Sequence, residues 1–197
     1  CILAGMALTP STMLALGTPA LDFTLPDPHG NTISLENFAG AQALLVIFMC
    51  NHCPFVIHLK TELAAFASEY QKRGVAVVAI NSNDSSEFPK DSPANMIADI
   101  KQYGYTFDYL IDVDQRVAKT YQAACTPDFY LFDHSKHLRY RGQFDDSRPK
   151  NDIPVTGSDL RNAIDALLND QPVAANQKPS IGCNIKWIAG QAPKYAV

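Results

Sequence analysis

The sequence predicts an α/β domain: a central mixed β-sheet flanked by helices, with an N-terminal β-hairpin extension and a C-terminal tail. Three observations carry this. Ala43 to Met49 is an unbroken apolar run, the pattern of a strand buried on both faces. Phe55, Val56, Leu59, Leu63, Phe66 and Tyr70 then recur at helical spacing. A second apolar run extends from Val75 to Asn81. Strand, helix and strand in that order form a parallel βαβ unit.

The other elements can be read along the chain. Leu21 to Leu25 alternates apolar and polar residues, as a half-buried strand does. Pro26 to Asn31 is dense in turn formers. Thr32 to Ser34 returns as a short strand, and Leu35 to Phe38 suits one helical turn. Pro54 fits a first helical turn, where its missing N–H costs nothing. Gly74 is the matching stop. Asn81 to Asp91 is polar and predicts a loop, and Pro93 to Tyr103 predicts a helix. Tyr109 to Asp112 reads as a strand, and Asp114 to Tyr121 as a helix capped by Asp114. Asp128 to Asp133 and Leu138 to Gly142 read as a hairpin around His134, Ser135 and Lys136. Ser158 to Leu168 is the last predicted helix. We divide the chain into an N-terminal tag or arm (1–15), the domain (16–170) and a tail (171–197). The tail is rich in Pro, Gly, Asn and Gln, and is expected to wrap the domain or to be partly disordered.

Composition narrows the function classes. Of 197 residues, 47% are hydrophobic and 18% charged, with a net charge of −4. That supports a full core, and without a Lys/Arg-rich run it predicts neither a nucleic-acid nor an anionic-membrane partner. No apolar run approaches the roughly 18 residues of a membrane-spanning helix. The first eight residues are apolar but lack a basic segment, and Pro10 interrupts the run. Met6 reads as the natural initiator, with residues 1–5 as a tag. The rival reading makes Cys1 the lipidated first residue of an exported lipoprotein. Cys1, Cys50, Cys53, Cys125 and Cys183 are odd in number and widely spaced apart from one pair. That is no disulfide scaffold, and it predicts a cytoplasmic protein whose cysteines do chemistry.

Cys50-Asn51-His52-Cys53 sits where the first buried strand hands over to the helix. A helix N-terminus offers free N–H groups and partial positive charge, which stabilise a thiolate. Two intervening residues let the sulfurs bridge. Cys50 is then expected to attack a disulfide and Cys53 to resolve the mixed disulfide. His52, with Asn51, tunes the pair: an imidazole that favours the reduced thiolate raises the reduction potential above that of a thioredoxin with Gly-Pro between its cysteines. Asp22, Lys60 and Glu62 are candidate charges near the dithiol. His29, His134 and His137 read as solvated turn residues. A C-x-x-C pair is half of a zinc site, and no second pair accompanies it, so no metal is predicted. A copper or zinc chaperone or redox sensor using Cys50, Cys53, His52 or His58 is the alternative of another class.

The sequence resembles the redoxin (AhpC/TSA) branch of the thioredoxin-like superfamily, and within it a peroxiredoxin-like subgroup. The resemblance rests on Gly17 to Leu25, on Phe48 to Val56 with its CNHCP motif, on Cys125 to Phe129, and on Ser180 to Trp187. It implies a thioredoxin-like fold in which Thr126-Pro127 is a cis-proline loop facing the dithiol and shaping a substrate groove. Cys125 would lie close by, as a third redox cysteine or as a small core residue. Cys183 would be a resolving cysteine or a bystander. Peroxiredoxins carry P-x-x-x-T-x-x-C and an Arg near the cis-Pro. Here Cys53-Pro54 matches the peroxidatic Cys-Pro, but Cys50 stands at the Thr, Val46 at the first Pro, and no Arg lies near Cys125 to Pro127. Arg116 and Arg139 are elsewhere in the chain. Without those groups peroxide cleavage loses its charge stabilisation. The expected function is therefore thiol–disulfide oxidoreduction with antioxidant character, and a thiol peroxidase using Cys53 is the alternative. The resemblance implies no organic cofactor, disulfide or peroxide substrates, and a thioredoxin- or glutathione-type electron donor, with monomer and homodimer both open.

Overall fold

The computed structural model describes residues 8–196. The readings of Cys1 as lipidated and of Met6 as initiator concern residues outside that range. In chain order, β1 (Leu8–Pro10) precedes a hairpin of β2 (Thr24–Pro26) and β3 (Thr32–Ser34). β4 (Ala43–Phe48), α1 (Pro54–Gln71) and β5 (Val75–Asn81) form the predicted βαβ unit. Next come α2 (Pro93–Tyr103), β6 (Asp108–Ile111), α3 (Arg116–Thr120) and β7 (Cys125–Thr126). β8 (Asp128–Asp133), β9 (Leu138–Gly142), α4 (Ser158–Leu168) and β10 (Ile181–Asn184) complete the set.

The main sheet runs β6-β5-β4-β8-β9. β4, β5 and β6 are parallel, while β8 is antiparallel to β4 and β9 to β8. All six residues of β4 are buried, as its unbroken apolar run requires. Its alternation divides the core. Ala43, Leu45 and Ile47 join Leu59 and Leu63 of α1 and Leu160 and Ile164 of α4. Leu44, Val46 and Phe48 face the other way, onto Val117 and Ala118 of α3 and onto Phe23 and Leu25 at the hairpin. Truncating Phe48 to Ala would cost about 3–5 kcal/mol. Helix α1 stops as predicted: Gly74 adopts φ +86°, a conformation open to glycine, and its N–H closes the last turn on Gln71 O at 3.1 Å.

Three expectations change. The strand predicted over Leu21 to Leu25 begins only at Thr24. Asp114 is not the cap of α3: Gln115 is, with φ +60°. The work of capping falls to Asp112, whose carboxylate accepts from Val117 N at 3.2 Å and Ala118 N at 2.9 Å. The tail contains a strand. β10 pairs with β1 on one edge and with β7 on the other, making a second, three-stranded antiparallel sheet. Buried Gln115 fastens the segment after β10. Its amide nitrogen donates to Ser82 O and Lys186 O, and its oxygen accepts from Ile188 N.

Candidate active site

β4 ends at Phe48 and α1 begins at Pro54, so the four-residue motif lies in the turn between them. Cys53 is the N-cap of α1, and Cys50 sits three residues earlier at the strand's end. The dithiol lies at the strand–helix junction, and of its two thiols Cys53 is the one at the helix terminus. Both sulfurs face the loop between β7 and β8, where the Thr126–Pro127 bond is cis. Cys50 Sγ lies 3.5 Å from Thr126 Oγ1, and Cys53 Sγ lies 3.2 Å from Thr126 O. The fourth member is Cys183 on β10, with its Sγ 2.7 Å from Cys53 Sγ. Cys125 is buried, and its Sγ turns to Pro127 O at 3.8 Å. The geometry brings together Cys50, Cys53, Thr126 and Cys183.

Ionisation is set by these neighbours. Burial opposes a thiolate on Cys53, but the Cys183 and Cys50 thiols and the Val56 N–H in the first helical turn outweigh it. They hold its pKa well below that of an ordinary thiol. Burial pushes Cys50 up, and so does its contact with Cys53. Cys183 rises because of its contact with Cys53 and its burial, with Lys186 acting against the rise. Burial beside Asp128 raises Cys125. Among these four thiols the neighbours thus lower Cys53 and raise Cys50, Cys125 and Cys183.

Asn51 and His52 are held by groups that local sequence did not single out. Asp91 is buried and accepts from Asn51 N at 2.7 Å and from Asn83 Nδ2 at 2.8 Å. Its other partner is His52 Nδ1, at 2.6 Å, and the ring stacks on Phe88 with centroids 5.6 Å apart. These partners overcome burial and hold the Asp91 carboxyl below its usual range. Asn51 also donates to Lys90 O and accepts from Tyr109 OH. Lys60, one of the three candidate charges, is buried and donates to Asn51 O and to Asp99. Asp22 is exposed and Glu62 half-buried. His58 bonds Ser147 Oγ at 2.7 Å. Arg116 pairs with Asp114 and Arg139 with Asp133, so neither guanidinium serves the sulfurs. Asp91 ends a polar loop whose local sequence carries no sign of a partner, so only the fold reveals it.

Cys50 Sγ, a His52 ring nitrogen and an Asp91 oxygen all lie within 4.8 Å of one another. They are the donors from which a metal site could be built. Asp91 already accepts three N–H groups, one of them from His52, so a cation would have to displace them.

The fold and the paired cysteines at a strand–helix junction define a thioredoxin-like α/β protein of redoxin type. The AhpC/TSA family matches residues 16–141, and this chain belongs to that family. The chain is 54% identical to the hypothetical protein SMc02350 of Sinorhizobium meliloti 1021, whose crystal structure superposes with a TM-score of 0.91 over 92% of this chain and 100% of that one. It is 29% identical to the thiol-disulfide oxidoreductase ResA of Geobacillus thermodenitrificans, over 66% of this chain and 71% of that protein. A secreted Mycobacterium tuberculosis disulfide oxidoreductase shares the fold, with a TM-score of 0.57 at 17% identity over 73% of this chain and 95% of its own. No helix among the described residues is long and apolar enough to cross a membrane.

Proposed function

We propose that this chain is a thiol–disulfide oxidoreductase whose working pair is Cys50 and Cys53. The observation that carries this is the meeting of both sulfurs on Thr126, with the thiolate favoured on Cys53. Cys53 S⁻ attacks a disulfide R–S–S–R′, the Cys53–S–R bond forms, and R′S⁻ leaves and takes up a proton. Cys50 then loses its proton and attacks Cys53 Sγ. RS⁻ is displaced, and the Cys50–Cys53 disulfide records the two electrons passed to the substrate. For disulfide exchange these roles replace the expected attack by Cys50 with attack by Cys53, the residue that caps the helix. His52 and Asn51 position the turn through Asp91. Electrons return from a thioredoxin- or glutathione-type donor, and cysteine usage alone supports a cytoplasmic setting.

Trapping tests the assignment. Cys50→Ser combined with Cys183→Ser, which removes both neighbouring thiols, is expected to accumulate a mixed disulfide on Cys53 when offered a protein disulfide. Capture by Cys53→Ser alone would reverse the roles again.

Peroxide reduction is the second reading, and Thr126 favours it. Its side chain helps to lower the Cys53 pKa and supplies the alcohol that the sequence motif lacks. Cys53 S⁻ would attack a hydroperoxide, giving an alcohol and a sulfenic acid that Cys50 resolves with loss of water. That chemistry would give the protein its antioxidant character. Hydroperoxide-dependent sulfenate on Cys53 in the variant carrying both Cys50→Ser and Cys183→Ser separates it from pure disulfide exchange.

A further inference from the structure

An external disulfide cannot reach Cys53 in this arrangement. Cys53 is fully buried and Cys183 nearly so, and β10 is the element that lies over them. β10 is an extended segment hydrogen-bonded along the edge of β7, with Cys183 opposite Thr126 and Asn184 opposite Cys125. An extended peptide that adds to a free sheet edge is a standard way to recognise a protein substrate. Here the chain's own tail occupies that edge, beside the loop that holds both reactive sulfurs.

The fit is built from both sides. Gly182 passes so close to Thr126 that a Cβ there would stand 1.9 Å from its carbonyl oxygen. Before it, Ser180 donates to Gly142 O, and its carbonyl accepts from Ser11 N at 2.8 Å. After it, Ile185 N donates to Ala124 O at 3.0 Å and Lys186 N to Asn83 Oδ1 at 2.8 Å. Between these anchors Cys183 Sγ stands 2.7 Å from Cys53 Sγ, inside van der Waals contact for two sulfurs.

We propose that β10 is a built-in substrate strand and that Cys183 is a third redox cysteine, exchanging the Cys50–Cys53 disulfide for a Cys53–Cys183 disulfide that pins the tail across the site. The proposal rests on the exchange chemistry assigned to Cys50 and Cys53. In the step, Cys183 loses its proton and attacks Cys53 Sγ of the Cys50–Cys53 disulfide. The Cys53–Cys183 bond forms, the Cys50–Cys53 bond breaks, and Cys50 leaves as a thiolate that takes up the proton. The count of disulfides is unchanged, so the step needs no oxidant beyond the one that made the first bridge. The chain then has two oxidised isomers. One leaves β10 free to yield to a substrate; the other locks it and stores Cys50 as a thiol.

Disulfide mapping tests this. The reduced full chain is oxidised with glutathione disulfide, quenched in acid, alkylated, digested and mapped by mass spectrometry. The expected result is a Cys53–Cys183 bridge in the wild type and in Cys50→Ser, and its complete loss in Cys183→Ser in favour of Cys50–Cys53. A wild-type map holding Cys50–Cys53 alone would overturn the proposal, and this map needs no substitution should a variant fail to fold. Cys50→Ser that retains its far-UV spectrum yet alkylates at both Cys53 and Cys183 after oxidation would overturn it too. The underlying exchange reading fails on a different result: no Cys50–Cys53 bridge and no reduction of insulin disulfides by folded Cys183→Ser.

Discussion

Gly182→Ala puts the covering of the dithiol to a direct test. The new methyl would meet Thr126 O at 1.9 Å, the Thr126 carbonyl carbon at 2.7 Å and Pro127 N at 3.3 Å. All three are backbone atoms, so no side chain can swing aside. Restoring ordinary contact means moving from 1.9 Å to at least 3.4 Å, about 1.5 Å of displacement of β10 from β7. Overpacking of this kind costs about 1–3 kcal/mol. Released by local opening of β10, that strain raises the open population by ~5- to ~150-fold. The assay is alkylation of Cys53 and Cys183 by iodoacetamide in the reduced, native chain, read by mass spectrometry. Both sites are expected to react faster by that factor, while far-UV circular dichroism keeps its shape. A folded variant whose alkylation stays within about twofold of wild type would refute the claim that β10 gates access to the sulfurs.

Other outcomes concern the site and its surroundings. Cys53 has a folded pKa below its unfolded value of about 8.5, so its contribution to stability is full above that pH and is lost as pH falls. Absorbance at 240 nm should therefore report a thiolate at pH 6–7 that Cys53→Ser lacks; thiolate appearing only above pH ~8.5 contradicts this. Asp91→Asn should cost about 3 kcal/mol by weakening three buried hydrogen bonds, a fall in Tm of roughly 6–12 °C, and a change under about 2 °C would deny Asp91 its bracing role. Asp128 is wholly buried, and desolvation lifts its pKa to about 7, so its stabilising neutral form is complete below pH ~3.8 and lost as pH rises through 7. Asp128→Asn should accordingly gain on wild type by about 3–4 kcal/mol between pH 4 and pH 8 in urea unfolding; a pH-independent difference would contradict it. Equilibration with glutathione should place the Cys50–Cys53 couple above about −270 mV, and a value at or below that would remove the predicted influence of His52.

Local pattern reveals most of the main sheet. β4, α1 and β5 are legible because double burial leaves a continuous apolar run and a helical stripe between two such runs. The turn of Cys50 to Cys53 is legible for the same reason, since its chemistry comes from the junction. What escapes is whatever depends on contacts between distant residues. Asp91 binds across 39 residues to His52, and nothing around it marks it as a partner. β10 is four residues long in a segment rich in turn formers, so its strand character comes from the β1 and β7 edges it fills. The division of labour between the cysteines depends on their neighbours in the fold. With Pro54 in the first turn as the sequence suggests, the capping residue is Cys53, and the neighbours that lower its pKa come from distant parts of the chain.

The position of β10 after every strand of the five-stranded sheet also bears on the order of events during synthesis. Domains emerge and fold from the N-terminal side. A nascent chain that has cleared the ribosome through Leu168 already contains every strand of the five-stranded sheet, Cys50, Cys53 and Thr126. Its dithiol is then assembled but bare, open to glutathione and to the cysteines of neighbouring nascent chains. Only when Ile181 to Asn184 emerge does the site acquire its cover. If folding follows synthesis, the thiols of this turn would react most readily before β10 emerges.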